Sequence, residues 1–250
     1  MNQAKLLSVI NISKSFGGVK AVRKVSFDIK KGELLGVIGP NGSGKTTLVN
    51  LITRFVKASS GNVLFHGERI NHLPPHKIIR LGISRTFQMV RPFYQLPAYK
   101  NMIIPLYSPR VKNFIGGKFG DRDARALDLL EEVGFERDSF VAYKPAGILP
   151  QGYLKRLELA KAISLQPELM ILDELFSGLS LAEVAGIVPI VEKLRQKGIA
   201  IIMIEHRLKE LFKIADRVMV MNYGEKIADG SAKHVMASDA VKTAYLGTEA

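Results

Sequence analysis

The sequence of 250 residues contains no cysteine. This absence excludes a disulfide framework, a thiolate metal site and a catalytic thiol. A long apolar run is also missing, because the apolar stretch at residues 199–204 is far too short to span a bilayer. No segment near the N-terminus combines basic residues with the apolar core of an export signal. Together these absences predict a soluble protein with a cytoplasmic location.

Acidic residues are few relative to basic ones. The chain has 23 Asp and Glu against 36 Lys and Arg, which gives a net charge of +13. Such an excess favours phosphate-rich partners, namely nucleotides, nucleic acid or an anionic membrane surface. The basic residues are scattered along the chain, so an ordinary solvated surface accounts for the charge equally well.

Repeats, low-complexity tracts and flexible linkers are absent too, which indicates one continuous unit with an insertion. Two helical patterns at residues 121–134 and 152–166 follow one another without a strand, and they predict an inserted helical subdomain with edges near Phe87 and Gln166. Elsewhere, short apolar runs alternate with helical patterns, which predicts an α/β sheet of buried parallel strands. These runs cover residues 6–12, 34–38, 169–172, 199–204 and 217–221.

The strongest chemical signal is the sequence GPNGSGKTT at residues 39–47, which follows a predicted buried strand. Its glycines allow the backbone N–H groups to turn inward, and the helix expected to begin near Lys45 adds its positive dipole end. The pattern predicts a polyphosphate cradle for a nucleotide; the alternative is a glycine-rich turn that only caps a helix. The predicted binding residues are Gly39, Asn41, Gly42, Ser43, Gly44, Lys45, Thr46 and Thr47.

The cradle and a second segment together predict a nucleotide and Mg²⁺ site. Lys45 is expected to reach the β- and γ-phosphates, the Thr46 hydroxyl to ligate Mg²⁺, and Thr47 to contact the α-phosphate. The sequence LMILDE at residues 169–174 supplies an apolar strand that ends in two acids. Because neighbouring side chains alternate on a strand, Asp173 is expected to hold the Mg²⁺ shell while Glu174 polarises water. The alternative is that the two acids are ordinary helix N-terminal charges.

Three further segments extend this pattern, namely ISKSFGGVKAV at residues 12–22, SRTFQ at residues 84–88 and IEHRL at residues 204–208. With them, nearly the whole chain resembles the ATP-binding subunits of ABC transporters. The resemblance implies a single domain over residues 1–250, of α/β class. It would consist of a P-loop NTPase core at residues 1–87 and 167–250, with an N-terminal β-subdomain, and a helical subdomain at residues 88–166.

The resemblance also implies roles for three residues outside the cradle. Phe16 would stack on adenine, Gln88 would sense Mg²⁺ and water, and His206 would act as the switch histidine at the γ-phosphate. Taken alone, these residues would more often be a core aromatic, a surface amide and a turn histidine.

Finer details resemble one branch of the family, the ATPase subunits of branched-chain amino-acid importers. They are RTFQMVRPF at residues 85–93, the EHRL segment and the terminal AYLG at residues 244–247. This similarity implies ATP and Mg²⁺ as cofactors and a second, different ATPase subunit as partner, although a homodimer stays possible. It also implies two membrane permease subunits and, indirectly, an external substrate-binding protein. The expected location is the inner face of the cell membrane, and no nucleic-acid partner is expected.

The family signature, usually LSGGQ, is replaced here by LPQGY at residues 149–153. Leu149 and Gly152 match it, whereas Pro150, Gln151 and Tyr153 depart from it. In the family the signature of one subunit closes over the γ-phosphate held by the other, so Gly152 is expected to contact nucleotide. Pro150 removes a hydroxyl donor and a backbone N–H, and the loss is expected to weaken closure.

Two more departures follow the catalytic acids. Leu175 stands where the family usually has proline, and it is expected to alter only the turn. Ser180 stands where the family usually has Asp or Asn, and it is expected to weaken communication between the two ATP sites.

Two other functions compete with a transport ATPase. A soluble ABC-type ATPase acting on nucleic acid or ribosomes would use the positive charge, but such proteins usually carry a zinc insertion, a coiled-coil arm or a second cassette. A P-loop kinase for small molecules would explain residues 39–47 but would leave Gln88, the LPQGY segment and His206 without a role.

Overall fold

The computed structural model describes residues 5–87, 89–114 and 121–246, and it arranges their strands in two sheets. The first sheet has the order β2-β1-β4-β5, and the second has the order β10-β9-β3-β8-β7-β6. The strands are β1 (Lys5–Phe16), β2 (Val19–Lys30), β3 (Leu34–Ile38), β4 (Ser60–Phe65), β5 (Glu68–Arg69), β6 (Ile83–Arg85), β7 (Leu169–Asp173), β8 (Ala200–Ile204), β9 (Arg217–Asn222) and β10 (Glu225–Gly230).

The four-stranded sheet is antiparallel throughout. The two-residue connection Gly17-Gly18 between β1 and β2 explains this arrangement, because both glycines have positive φ and so short a loop joins only antiparallel strands. The interpretation of residues 6–12 as a buried parallel strand is therefore wrong: the segment is a strand, but it lies in the antiparallel sheet.

The six-stranded sheet is parallel except for its edge pair β9 and β10. Every residue of β3, β7 and β8 is buried, as expected for strands that are covered on both faces. The four apolar runs predicted as parallel strands at residues 34–38, 169–172, 199–204 and 217–221 are confirmed. Because the strands are parallel, the residues that follow β3, β6, β7 and β8 lie at one edge of this sheet.

Helices fill the interval between β6 and β7, and in its described part no strand occurs. The pattern at residues 121–134 forms α5, and the pattern at residues 152–166 forms α6. The helices are α1 (Lys45–Ile52), α2 (Pro75–Leu81), α3 (Ile103–Leu106), α4 (Pro109–Phe114), α5 (Arg122–Glu132), α6 (Gln151–Ser164), α7 (Leu181–Gln196), α8 (Leu208–Ile214), α9 (Ala232–Ala237) and α10 (Asp239–Leu246).

Two apolar cores lie on the two faces of the six-stranded sheet. One core packs the antiparallel sheet and α1 against residues such as Leu35 and Ile202, and the other packs α5, α6 and α7 against residues such as Leu34 and Ile201. Alternation along β3 and β8 sends successive side chains to opposite cores. None of the helices in the described ranges has the length and apolar character needed to cross a membrane.

Candidate functional site

The loop between β3 and α1 is held by glycines that no other residue could replace. Gly39 has φ +149°, and a Cβ placed on it would lie 2.1 Å from the carbonyl oxygen of Met221. Gly44 has φ +100°, and its Cβ would lie 2.3 Å from the carbonyl oxygen of Ala21. The loop can therefore keep this tight curve only with glycine at both positions.

Lys45 begins α1 and places its ammonium group inside this loop. Its Nζ donates to the carbonyl oxygens of Gly39 at 2.7 Å and Pro40 at 2.9 Å, and it lies 3.4 Å from the Ser43 hydroxyl. Burial lowers the pKa of Lys45, while the nearby carboxylates of Glu174 and Asp173 oppose that shift. The cation and both acids thus belong to one electrostatic site.

Other loop residues present polar groups to solvent. Asn41, Gly42 and Thr46 are exposed, Thr47 is half-buried, and a Cβ on Gly42 would meet nothing within 4 Å. The loop is thus an open backbone turn at the start of α1, with the Lys45 cation inside it and the exposed Thr46 beside it. This combination has the chemistry of a polyphosphate cradle.

Asp173 ends β7 as a buried carboxylate. Its Oδ2 accepts from the Arg85 guanidinium at 2.7 Å, and Arg85 also donates to the Asn50 side-chain oxygen of α1 at 2.6 Å. The ion pair is almost fully buried, with Asp173 2% and Arg85 7% exposed. Arg85 therefore ties the end of β6 to both α1 and β7, a role that sequence reasoning missed because the contact spans 88 residues.

Glu174 follows in an unusual backbone conformation, with φ +51°. Its Oε1 lies 3.1 Å from Nε2 of His206, which follows β8, and its N–H donates to the Ile204 carbonyl at 2.9 Å. His206 is half exposed while the Glu174 side chain is 14% exposed. The structure thus brings the predicted Asp173, Glu174, His206 and Lys45 to one edge of the sheet.

Two buried charges behind this edge were not predicted from the sequence. Lys155 of α6 donates from Nζ to the Glu174 carbonyl oxygen at 2.9 Å. Glu205 accepts from the Phe176 N–H at 2.8 Å. Burial raises the pKa of Glu205 to about 7, although hydrogen bonds from backbone N–H groups and the charge of Lys155 oppose the shift. Burial lowers the pKa of Lys155, with Glu205 the strongest opposing charge.

The LPQGY segment forms the start of α6. Pro150 occupies the N-cap position without a side-chain hydrogen bond, and Gly152 is buried against Glu183 of α7. A Cβ on Gly152 would lie 2.5 Å from Glu183 Oε1, so glycine is required there by close approach. Tyr153 packs instead on Phe135, with ring centroids 5.0 Å apart.

Ser180 is the N-cap of α7 and forms a reciprocal capping box with Glu183. The Ser180 N–H donates to Glu183 Oε2 at 2.7 Å, and the Glu183 N–H donates to the Ser180 hydroxyl at 3.2 Å. The Ser180 hydrogen bonds lower the pKa of Glu183, and a hydrogen bond from the Gly152 N–H adds to this effect. Glu183 therefore connects the LPQGY segment to the start of α7.

The remaining predicted residues lie at the margins. Phe16 is 48% exposed at the end of β1, with Lys14 Nζ 4.9 Å from its ring centroid, so one ring face could receive a base. Gln88 lies outside the described residues. Its neighbour Phe87 is exposed and packs edge-on against Phe55 at 5.6 Å.

The C-terminal helix α10 adds a residue that sequence reasoning did not assign. Burial raises the pKa of the Tyr245 hydroxyl, and the backbone of Gly39 at the base of the loop opposes the shift.

These residues fit a nucleotide with Mg²⁺. The metal prefers hard oxygen ligands, and the edge offers the exposed Thr46 hydroxyl and the buried Asp173 carboxylate within one electrostatic site with Lys45. Magnesium would neutralise charge on the phosphates and orient them for attack by water.

Comparison with known proteins gives consistent results. The profile of the family described as ABC transporter matches residues 22–177. The chain is 34% identical to BraF of Pseudomonas aeruginosa, a high-affinity branched-chain amino acid transport ATP-binding protein, over 97% of this chain and 98% of that one. It is also 34% identical to the probable branched-chain amino acid transport ATP-binding protein LivG of Archaeoglobus fulgidus, over 98% of this chain and 96% of that one. The ADP conformation of an ABC transporter cassette gives a TM-score of 0.85 at 33% identity, over 98% of this chain and 100% of that one.

Proposed function

This chain belongs to the ABC transporter family, and on that premise we propose that it is the ATP-hydrolysing subunit of an importer for branched-chain or related amino acids. The observation that supports this most strongly is the convergence of the glycine loop, Asp173, Glu174 and His206 on one edge of the parallel sheet. The two relatives named above are transport ATP-binding proteins for such amino acids.

Each side chain then has a chemical task. The loop from Gly39 to Thr47 holds the phosphates of ATP, and Lys45 leaves its carbonyl partners to face the β- and γ-phosphates. Thr46 and Asp173 would hold Mg²⁺, with Gln88 as a third contact. Phe16 offers its exposed ring to adenine, where stacking needs no polar group.

Hydrolysis requires a water molecule to attack the γ-phosphorus while the bond to the β-phosphate oxygen breaks. Glu174 accepts a hydrogen bond from that water and raises its nucleophilicity. Nε2 of His206 is 3.1 Å from Oε1 of Glu174, so the imidazole can orient the carboxylate. In this proposal His206 also contacts the γ-phosphate. The products are ADP and inorganic phosphate.

The proposed function requires partner subunits. We propose a second ATPase subunit, by default a different one, and two membrane permeases, with a substrate-binding protein acting through the permeases. The exposed aromatic pair Phe55 and Phe87, next to Gln88, supports a permease contact at this surface. The protein would then work on the inner face of the cell membrane.

The two ATP sites of such an assembly are proposed to be unequal. Pro150 offers neither a hydroxyl nor an N–H to a partner-bound nucleotide. Gly152 is buried against Glu183 of the same chain, where an added Cβ would lie 2.5 Å from Oε1. Each missing hydrogen bond to a charged oxygen costs about 1.5–3 kcal/mol. The site closed by this signature should therefore turn over more slowly than the site built on Lys45 and Glu174.

The division of the chain follows the same proposal. Residues 1–87 and 167–250 form the nucleotide-binding core, and residues 88–166 form the helical subdomain. The helices-only interval between β6 and β7 in the described residues supports this division.

Copurification tests the function directly. The chain is tagged in its native host, the membrane fraction is solubilised, and the attached proteins are identified. We expect two polytopic permeases and a second ATPase, and ATP hydrolysis that rises when loaded binding protein is added. Copurification with ribosomes, or hydrolysis stimulated by nucleic acid alone, would contradict the proposal. The family and relatives found give no support to that alternative or to a small-molecule kinase.

A further inference from the structure

The backbone of Glu174 is strained, and this strain must be held by its surroundings. A φ of +51° is unfavourable for a residue with a side chain, and such conformations persist only where neighbouring groups fix them. Two contacts do so here. The Glu174 N–H donates to the Ile204 carbonyl at 2.9 Å, and the Glu174 carbonyl accepts from Lys155 Nζ at 2.9 Å.

Leu175, which stands where the family usually has proline, also affects the backbone conformation of Glu174. A proline there would push Glu174 toward extended backbone, because its ring crowds the preceding residue. Leu175 removes that restriction, and its side chain is buried at 1% exposure. Leu175 therefore permits the left-handed conformation of Glu174, and the two contacts above hold it.

Lys155 is well suited to supply such a contact. It is 2% exposed on α6, three residues after Gly152, so it is anchored in the same helix as the LPQGY segment. A buried ammonium group needs a compensating negative charge. Nearby carboxylates supply it, with Glu205 the strongest and Glu174 and Glu158 adding to it. Glu205 is itself held by the Phe176 N–H at 2.8 Å. Lys155 lies on α6, and Glu205 directly follows β8 and precedes His206.

We propose that Lys155 is a positioning residue for Glu174: its buried ammonium group, balanced by Glu205, fixes the Glu174 carbonyl and thereby aims the Glu174 carboxylate. This inference rests on the proposed ATPase function, in which Glu174 acts on the attacking water. Because Lys155 lies on the helix that begins with the LPQGY segment, it also couples any movement of that helix to the catalytic glutamate of the same chain.

The test replaces Lys155 with methionine, which keeps the length of the side chain and removes its charge and donors. ATP affinity is measured with a fluorescent ATP analogue, and kcat and KM are measured by phosphate release on the full-length chain. We expect kcat to fall at least tenfold, with KM and the dissociation constant changed less than twofold. Lys155→Arg should restore at least half of kcat, because a guanidinium group can reach the same carbonyl oxygen.

A matched control is Lys161→Met on the same helix, where the lysine forms a partly exposed pair with Glu158 at 2.6 Å. It should leave kcat within twofold of the wild-type value. If Lys155→Met does not fold because Glu205 is left uncompensated, Lys155→Met with Glu205→Gln removes both charges together and is expected to show the same loss of kcat.

The outcomes separate the two hypotheses. A folded Lys155→Met or double variant with wild-type kcat overturns the positioning role, and so does an equal loss in Lys155→Arg. A wild-type chain that neither binds nor hydrolyses MgATP in any assembly contradicts the proposed function instead.

Discussion

At the scale of single residues, the site is a set of charges that hold one another in place. Lys45 faces two acids, Asp173 is neutralised by Arg85, and Glu174 meets His206. None of these side chains is at an ordinary surface position, since all but His206 are buried or nearly so. Removal of one partner of a buried pair leaves the other charge uncompensated, so substitutions at these positions should affect stability as well as function.

Lys45→Ala is expected to abolish tight MgATP binding. The substitution removes the cation that faces the β- and γ-phosphates, and two charge-assisted hydrogen bonds are worth about 3 kcal/mol or more, which is on the order of a hundredfold in affinity. Isothermal titration calorimetry with MgATP measures the effect. Lys57→Ala, at an exposed position beyond α1, is the control and should bind normally. Equal affinity in both variants would contradict the assignment of the loop.

Glu205→Gln is expected to flatten the dependence of stability on pH. The folded pKa of Glu205, about 7, lies above the ordinary value of 4.5, so the native state keeps this proton longer than the unfolded state does. Its stabilising contribution is complete below pH 4.5 and is lost as pH rises through 7. Between pH 5 and pH 7 the wild type should lose about 2 kcal/mol more than the variant.

Urea unfolding at pH 5 and pH 7 measures this difference. Glu136→Gln, at an exposed position, serves as the control and should follow the wild type. If the stability of the wild type and of Glu205→Gln changed with pH in the same way, burial would not raise the pKa of the Glu205 carboxyl group.

At the scale of elements, α6 links the two parts of the mechanism. Its first turn carries the altered signature, and its second turn carries Lys155 beneath Glu174. Tyr153 is explained by its packing on Phe135 rather than by nucleotide contact. Pro150 suits the start of a helix, where a missing N–H costs little. The departures from the family signature thus have local structural reasons as well as a proposed functional effect.

Pro150→Ser combined with Gln151→Gly is expected to raise the ATPase rate of the isolated chain several-fold. The change returns a hydroxyl and a backbone N–H to the segment that closes over a partner-bound γ-phosphate, which is about one or two charge-assisted hydrogen bonds. Phosphate release at several protein concentrations measures the rate. Tyr153→Gln alone should not raise it, and loss of the aromatic pair should lower stability by about 1 kcal/mol. An unchanged rate in the double variant would show that the departures are silent.

Sequence reasoning succeeded where the signal was local. The buried strands at residues 34–38 and 169–172 followed from continuous apolar runs, and the tight loop at residues 39–47 followed from its glycines. It failed at residues 6–12, because an apolar run does not reveal whether its partner strand is parallel. Arg85, Lys155 and Glu205 were missed because their contacts join distant parts of the chain, and no short pattern records such pairs.

At the scale of the whole molecule, the architecture places functions on separate surfaces. The edge of the six-stranded sheet carries the proposed nucleotide site, and the first turn of α6 carries the LPQGY segment that we propose faces a partner. The exposed Phe55 and Phe87 pack on each other at a third surface. In the proposed assembly each nucleotide would be enclosed by two chains, so we expect full activity only there. The isolated chain should therefore bind ATP normally and hydrolyse it slowly.

We propose that this chain hydrolyses ATP with Glu174 as the residue that activates water. The most direct test is Glu174→Gln in the assembled transporter, with MgATP binding and phosphate release measured on the same preparation. The amide oxygen of glutamine can accept a hydrogen bond from water but is too weak a base to take its proton, and loss of a general base lowers turnover about 10²–10⁴-fold. We expect unchanged ATP binding and at least a hundredfold slower phosphate release. Phosphate release at the wild-type rate would contradict it.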